Sequence, residues 1–216
     1  MYGIHYATLA IIAVNILVSL KGFNDIAFFE RYKFGVGAIN AGQKERMLTS
    51  GFLHVDFTHL LFNMLTLYFF ADVVINGFGP VKFLGIYLIS LIAGSLLALF
   101  FHKNEPFYSA VGASGAVTGI LYAAILLHPT MSLYLMFIPI PIPAYVVGIG
   151  YLLYSIYGMK NRVGNIGHTA HFGGAIGGYV TTLLFMPDLI FTETLMVILL
   201  AIPILILFVM EKLGKI

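Results

Sequence analysis

The chain has 216 residues, 60% of them hydrophobic and only 9% charged, against about 25% charged in an ordinary soluble domain. That deficit excludes a water-soluble globule, and it excludes disorder, which needs the opposite balance. A net charge of +2, eleven scattered Lys and Arg and no Cys leave no nucleic-acid footprint, disulfide framework or Cys-ligated metal centre. The composition is that of an integral membrane protein with several spans.

Apolar runs of about 17–25 residues mark the spans. The first covers about Tyr6 to Leu20; no Lys or Arg precedes it and no A-x-A pattern follows, so it reads as a retained span. A long connection, Lys21 to His54, is rich in charge, and its aromatics (Phe23, Phe28, Phe29, Tyr32, Phe34) suit the membrane interface. The second span covers about Phe57 to Ile75, broken only by Asp72, and Asn76 to Pro80 reads as a tight turn. The third covers Val81 to Phe101. From Pro106 to Met159 there is no charged residue, and the run Ile138 to Pro143, with three prolines, divides a fourth span (Ser114 to Leu127) from a fifth (Ala144 to Tyr157). The sixth covers His168 to Phe185. After Met186-Pro187-Asp188 a seventh runs from Leu189 to Met210, with Pro203 as a kink point. The fold class is an all-α polytopic bundle, with no internal repeat of the transporter kind.

Polar groups inside spans are expensive, so each is a functional candidate. His54, His59 and Asn63 lie around the start of span two, with His59 and Asn63 four apart on one helix face. Gly112-Ala113-Ser114-Gly115 opens span four, with Gly119 four beyond Gly115. His168 and His171 open span six, followed by Gly174 and Gly178. Taken singly, each has a plain reading: Ser114 as a helix cap or packing residue, His171 as an interfacial histidine, Asn63 as a tie between helices, the glycines as packing positions. Together they say more. Spans two, four and six run the same way, so their starts share one side of the membrane. If the glycines bring spans four and six into contact, a serine, a histidine and two further hydrogen-bond donors meet at one depth. That is an acyl-transfer constellation.

Other intramembrane chemistries fit less well. No H-E-x-x-H string exists for a zinc protease, and His54, His59, His168 and His171 have no carboxylate to complete a metal site. Asp56, Asp72 and Asp188 do not fall at one depth as an aspartyl dyad. A channel or proton pathway would thread more charge through the bundle.

These motifs resemble those of the rhomboid intramembrane serine proteases. Gly112-Ala113-Ser114-Gly115 is similar to the Gly-x-Ser-Gly motif, Ala170-His171-x-x-Gly174-x-x-x-Gly178 to the Ala-His-x-x-Gly-x-x-x-Gly helix, and His54-x-x-x-x-His59-x-x-x-Asn63 to the His-x-x-x-x-His-x-x-x-Asn pattern. The resemblance implies a six-helix core over residues 1–187, with 188–216 as an added C-terminal span. It implies Ser114 as nucleophile, His171 as general base, an oxyanion hole from the Ser114 N–H, His59 and Asn63, and supporting roles for His54, Gly112, Gly115 and Arg46. Gly119, Gly174 and Gly178 would pack the helices. No cofactor or metal is implied; the partners are the lipid bilayer and single-span membrane substrates with small residues at the cleavage point. A catalytically inactive, client-binding relative is the alternative.

Three positions depart from the family pattern. A Trp-Arg pair in the first loop reads Glu45-Arg46. The aromatic residue four beyond the nucleophile, which stacks on the catalytic histidine, is Thr118, leaving Tyr122 or Tyr179 to orient His171. The acidic residue near the far end of span two is Ile75, with Asp72 one turn away. Sidedness divides two arguments. The resemblance implies a site opening to the non-cytoplasmic side of a bacterial-type cell membrane. That topology puts Lys21, Arg31, Lys33, Lys44, Arg46, Lys103, Lys160, Arg162, Lys212 and Lys215 outside and only Lys82 inside, against the positive-inside rule.

Overall fold

Capping residues and a glycine–proline break set several of the helix boundaries. A computed structural model describes residues 4–134, 139–163 and 167–216. Within them the chain is an all-α membrane bundle. Helix α1 (Tyr6–Asn24) leads into short helices α2 (Ile26–Tyr32), α3 (Val36–Asn40) and α4 (Arg46–Thr49) and a 3₁₀ turn (Ser50–Phe52). The long helices α5 (Phe57–Phe78) and α6 (Pro80–Phe101) follow, then α7 (Ser114–Leu127), α8 (Ala144–Asn161), α9 (His168–Phe185), the short α10 (Leu189–Thr192) and α11 (Thr194–Lys212). Two small antiparallel pairs staple loops: β1 (Phe34–Gly35) pairs with β2 (Ser109–Ala110), and β3 (Ser132–Leu133) with β4 (Ile142–Pro143).

The Asp56 carboxylate accepts the His59 N–H at 2.7 Å, fixing Phe57 as the first residue of α5 and His59 in its first turn. The expected tight turn at Asn76 to Pro80 is narrower: α5 continues to Phe78, Gly79 alone reverses the chain at φ 79°, and Pro80 starts α6, where its missing N–H costs nothing. The first span extends beyond Leu20 to Asn24, and the fifth beyond Tyr157 to Asn161. The seventh begins later than expected, because the chain breaks at Glu193 between α10 and α11; Pro203 lies inside α11. Of the proline run, Ile138 lies outside the described residues, and Ile142–Pro143 form β4 directly before α8.

Among the described residues, α1, α5, α6 and α11 are long and apolar enough to cross a membrane. Helix α7 has only 14 residues, about 21 Å against a hydrocarbon core of about 30 Å. It is enclosed, with Gly115 to Ile120 and Tyr122 to Leu126 all buried. Helices α8 and α9, at 18 residues each, carry Gly, Ser, Thr and His and are less apolar than the four.

Helix α9 lies between α6 and α7 with glycines on both faces. A Cβ at Gly173 would stand 2.6 Å from Ala93 O, and one at Gly177 2.8 Å from Ser90 Cα, both on α6. On the other side, a Cβ at Gly174 would stand 1.9 Å from Gly115 O, and one at Gly178 2.1 Å from Gly119 O, both on α7. The three backbones therefore touch, as small-residue stripes permit in membranes. Large apolar side chains such as Leu17, Phe69, Leu96 and Leu205 remain exposed on the long helices, as a lipid-facing surface requires.

Candidate active site

The start of α7 is built by the turn that precedes it. Gly112 sits at φ 129°, a conformation that favours glycine. A Cβ there would also lie 2.8 Å from His59 Nε2 and 3.6 Å from Ser114 Oγ. The missing side chain thus lets the first turn of α5 approach the first residue of α7. The turn is held from behind by two bonds: the Gly112 N–H donates to Ser50 O at 3.0 Å, and the Ala113 N–H donates to His54 Nε2 at 3.3 Å.

His54 is fully buried before α5. Its Nδ1 lies 2.8 Å from Ser19 Oγ, which donates its own proton to Phe52 O at 3.0 Å. With Nε2 accepting from Ala113, the consistent assignment is a neutral ring carrying its proton on Nδ1. Burial, with His59 beside it, pushes the His54 pKa down to about 3. The His54 and His59 rings meet edge to face at 4.9 Å.

His59, Asn63, Ser114 and His171 line one cavity of about 980 Å³. Asn63 donates one amide proton to His59 O at 2.9 Å, leaving a second. His59 Nδ1 is buried without a partner among the described residues. The Ser114 N–H, in the first turn of α7, has no intrahelical acceptor. The Thr118 hydroxyl donates to Ser114 O at 2.7 Å. Ser114 and His171 face the same cavity without a direct hydrogen bond between them. No carboxylate lines this cavity among the described residues; Asp72 and Asp188 are exposed.

One expectation is corrected here. Neither Tyr122 nor Tyr179 orients His171: the Tyr122 hydroxyl donates to Gly148 O, and that of Tyr179 to Val197 O at 2.9 Å. The group on His171 is Tyr151 of α8, whose hydroxyl lies 2.7 Å from Nδ1, the two rings nearly parallel at 22°. The sequence offers only a weak signal for it, one of four tyrosines in the fifth span; Ser19 and Asn15, in the first span, are likewise polar atoms in an apolar run. Arg46 anchors the first loop without a tryptophan before it. Its guanidinium donates to Gln43 Oε1 at 2.7 Å, Glu30 O at 2.8 Å and Lys33 O at 2.9 Å, while Glu45 pairs with Arg31 at 3.0 Å.

Comparison with known proteins bears on the same stretch. A family model described as Rhomboid domain matches residues 41–188, a span that holds every one of the candidate site residues. The chain is 31% identical over 182 residues to "RHOMBOID-like protein 12, mitochondrial" of Arabidopsis thaliana, covering 77% of this chain and 54% of that protein. It is 33% identical to "Rhomboid protein 1, mitochondrial" of Saccharomyces cerevisiae, over 62% of this chain and 40% of that one. It is 35% identical to "Rhomboid protease GluP" of Bacillus subtilis, over 65% of this chain and 26% of that one. The matches thus span about half or less of each relative. Two are named mitochondrial, so they give no support to the expected bacterial-type cell membrane; what they share with the apolar helices is a multi-pass membrane protein. A matched family model over most of the length, relatives named rhomboid, and one of them named a protease lead to one conclusion: the chain belongs to the rhomboid family.

Proposed function

We propose that the chain is an intramembrane serine endopeptidase, with Ser114 as nucleophile, His171 as general base, and the Ser114 N–H, His59 and Asn63 as oxyanion donors. The observation that carries this reading is the convergence of these four side chains on one cavity at the starts of three helices. Neutral His171 takes the Ser114 proton as Oγ attacks a peptide carbonyl. The three donors hold the oxygen that gains charge, and His171 passes its proton to the leaving amine. A water molecule then attacks the acyl ester, giving its proton to His171, which returns one to Ser114 Oγ. No step needs a carboxylate if the imidazole is held by other means.

Residues 1–187 form the protease core in this reading, and 188–216 an added span. Its substrates are single-span membrane proteins that unwind locally to expose a peptide bond, with small residues at the cut. The site opens to the non-cytoplasmic side. The testing experiment incubates detergent-purified protein with a fluorogenic membrane-segment substrate, beside Ser114→Ala and His171→Ala. Cleavage and fluorophosphonate labelling that both disappear in Ser114→Ala support the proposal. Turnover that survives either substitution in a folded protein overturns the dyad, and a wild type inert to substrate and probe returns the chain to the non-catalytic alternative.

A further inference from the structure

The family pattern leaves a gap that this chain fills from a different helix. With Thr118 where a ring would stand on the histidine, and its hydroxyl committed to Ser114 O, no aromatic side chain from that position of α7 reaches His171. The connection to the imidazole comes from α8, through the Tyr151 hydroxyl at 2.7 Å from Nδ1. From this geometry we propose that Tyr151 is the positioning residue of the catalytic base: its phenol oxygen accepts the Nδ1 proton of His171 and so directs the lone pair of Nε2 toward Ser114.

The tautomer follows from the chemistry required. A neutral imidazole carries one proton, and a ring that must receive the Ser114 proton on Nε2 has to carry its own on Nδ1. A phenol can act either way. Acting as acceptor, it fixes the productive form and stays bonded when the ring becomes an imidazolium; acting as donor to Nδ1, it would leave the proton on Nε2 and make the base unusable. Other histidines near the ring, His168 one turn before it on α9 and His59 from α5, do not take this role. His168 Nε2 faces Val163 O at 3.2 Å, and His59 Nε2 faces the Gly112 turn. Tyr151 is itself held in place. Three residues before it, Gly148 admits Ile125 of α7 and Leu200 of α11 to within 2.9 and 3.3 Å of where a Cβ would be, and its carbonyl accepts the Tyr122 hydroxyl. The carbonyl of Tyr151 accepts the Ser155 hydroxyl at 2.9 Å. The added C-terminal helix thereby braces the helix that orients the base.

This inference rests on the reading of His171 as general base, and the test separates the two. Full-length protein in detergent is assayed as wild type, Ser114→Ala, Tyr151→Phe and, as a control on the same helix, Tyr157→Phe. Tyr151→Phe keeps the ring and removes only the oxygen. Its kcat is expected to fall about three- to tenfold, the weight of one neutral hydrogen bond, with KM and melting temperature unchanged and Tyr157→Phe at the wild-type rate. The ¹⁵N spectrum of histidine-labelled protein, with the His171 signals identified by their loss in His171→Gln, is expected to report the Nδ1–H form in wild type and a mixture of tautomers in Tyr151→Phe. An inactive Ser114→Ala beside a Tyr151→Phe with wild-type kcat overturns the role of Tyr151 alone, as does an Nε2–H ring in the wild type. An active Ser114→Ala overturns the protease reading beneath it.

Discussion

One methyl group at Gly174 tests the contact on which the site depends. The Cβ of Gly174→Ala would stand 1.9 Å from Gly115 O, 2.6 Å from its carbonyl carbon and 2.8 Å from its Cα. An ordinary carbon–oxygen contact is about 3.3 Å, so α7 and α9 must part by roughly 1.4 Å. No flexible side chain can yield, because the neighbour is backbone. Overpacking of this kind costs about 1–3 kcal/mol, more than the gain of up to about 1 kcal/mol from exchanging Gly for Ala in a helix. The separation acts directly on the two helices that carry Ser114 and His171, and a displacement near 1 Å can lower a rate by about 10²-fold. Gly115→Ala is milder, its Cβ meeting Ala170 O at 3.2 Å, and Gly150→Ala on α8 meets nothing within 4 Å. Thermal melting in detergent and kcat/KM on a membrane-segment substrate should therefore rank the variants Gly150→Ala, Gly115→Ala, Gly174→Ala from wild-type-like to severe. A Gly174→Ala enzyme as stable and as active as Gly150→Ala would refute the contact.

Removing one oxyanion donor, as in Asn63→Ala or His59→Ala, should lower kcat by about 10–10³-fold; single-turnover rates equal to wild type in both would end that assignment. His54 should make the fold acid-sensitive. Its folded pKa of about 3 lies below the ordinary 6.5, so the unfolded chain takes up the proton first, and the stabilisation present above pH 6.5 is lost as pH falls toward 3. Between pH 7 and 5 the loss is about 2 kcal/mol, read as a drop in melting temperature that His54→Gln should flatten. Sidedness can be read from Lys215→Cys, an exposed position in a chain without cysteine; Gly214 is unsuitable because its φ is 63°. Labelling by an impermeant maleimide in intact cells is expected, and labelling only after lysis would place the site on the cytoplasmic side.

The sequence disclosed most about segments with strong local signals. Helices α7 and α9 begin and end where apolar runs and their glycine and proline breaks put them, Ser114–Leu127 and His168–Phe185. The three motifs could be read because each lies within about ten consecutive residues. What stayed hidden depends on distant pairing. Nothing local tells that Ser19 of α1 meets His54, or that Arg46 closes on the carbonyls of Glu30 and Lys33. Tyr122, Tyr151 and Tyr179 are equivalent as letters in apolar helices; only the packing of α8 on α7 and α9 decides which phenol meets the imidazole. The aromatics of the long first connection suit the membrane interface but say nothing of its contacts. Its staple to residues 109–110, through a pairing of two residues per strand, is too short for any periodicity to announce.

The two kinds of helix contact divide the labour of the site. Helices α6, α7 and α9 meet largely backbone to backbone through Gly94, Gly115 and the paired glycine faces of α9, with Gly119 also against the short side chain of Ser90. Two of those helices bear Ser114 and His171. Helices α5 and α8 join the group through side chains instead: Gly77 of α5 against Leu127, and Gly148 of α8 against Ile125 and Leu200. They bring His59, Asn63 and Tyr151. In the proposed reading, the nucleophile and base therefore sit on a slab whose spacing is fixed mainly by main-chain contact, while the groups assigned to hold the oxyanion and orient the base arrive on helices with more adaptable contacts. A substrate segment needs space between helices to reach Ser114. If it gained that space at α5 or α8, it would disturb an oxyanion donor or the Tyr151 bond before it disturbed the spacing of Ser114 and His171, so imperfect closure on a poor substrate would lower kcat while leaving the fold intact.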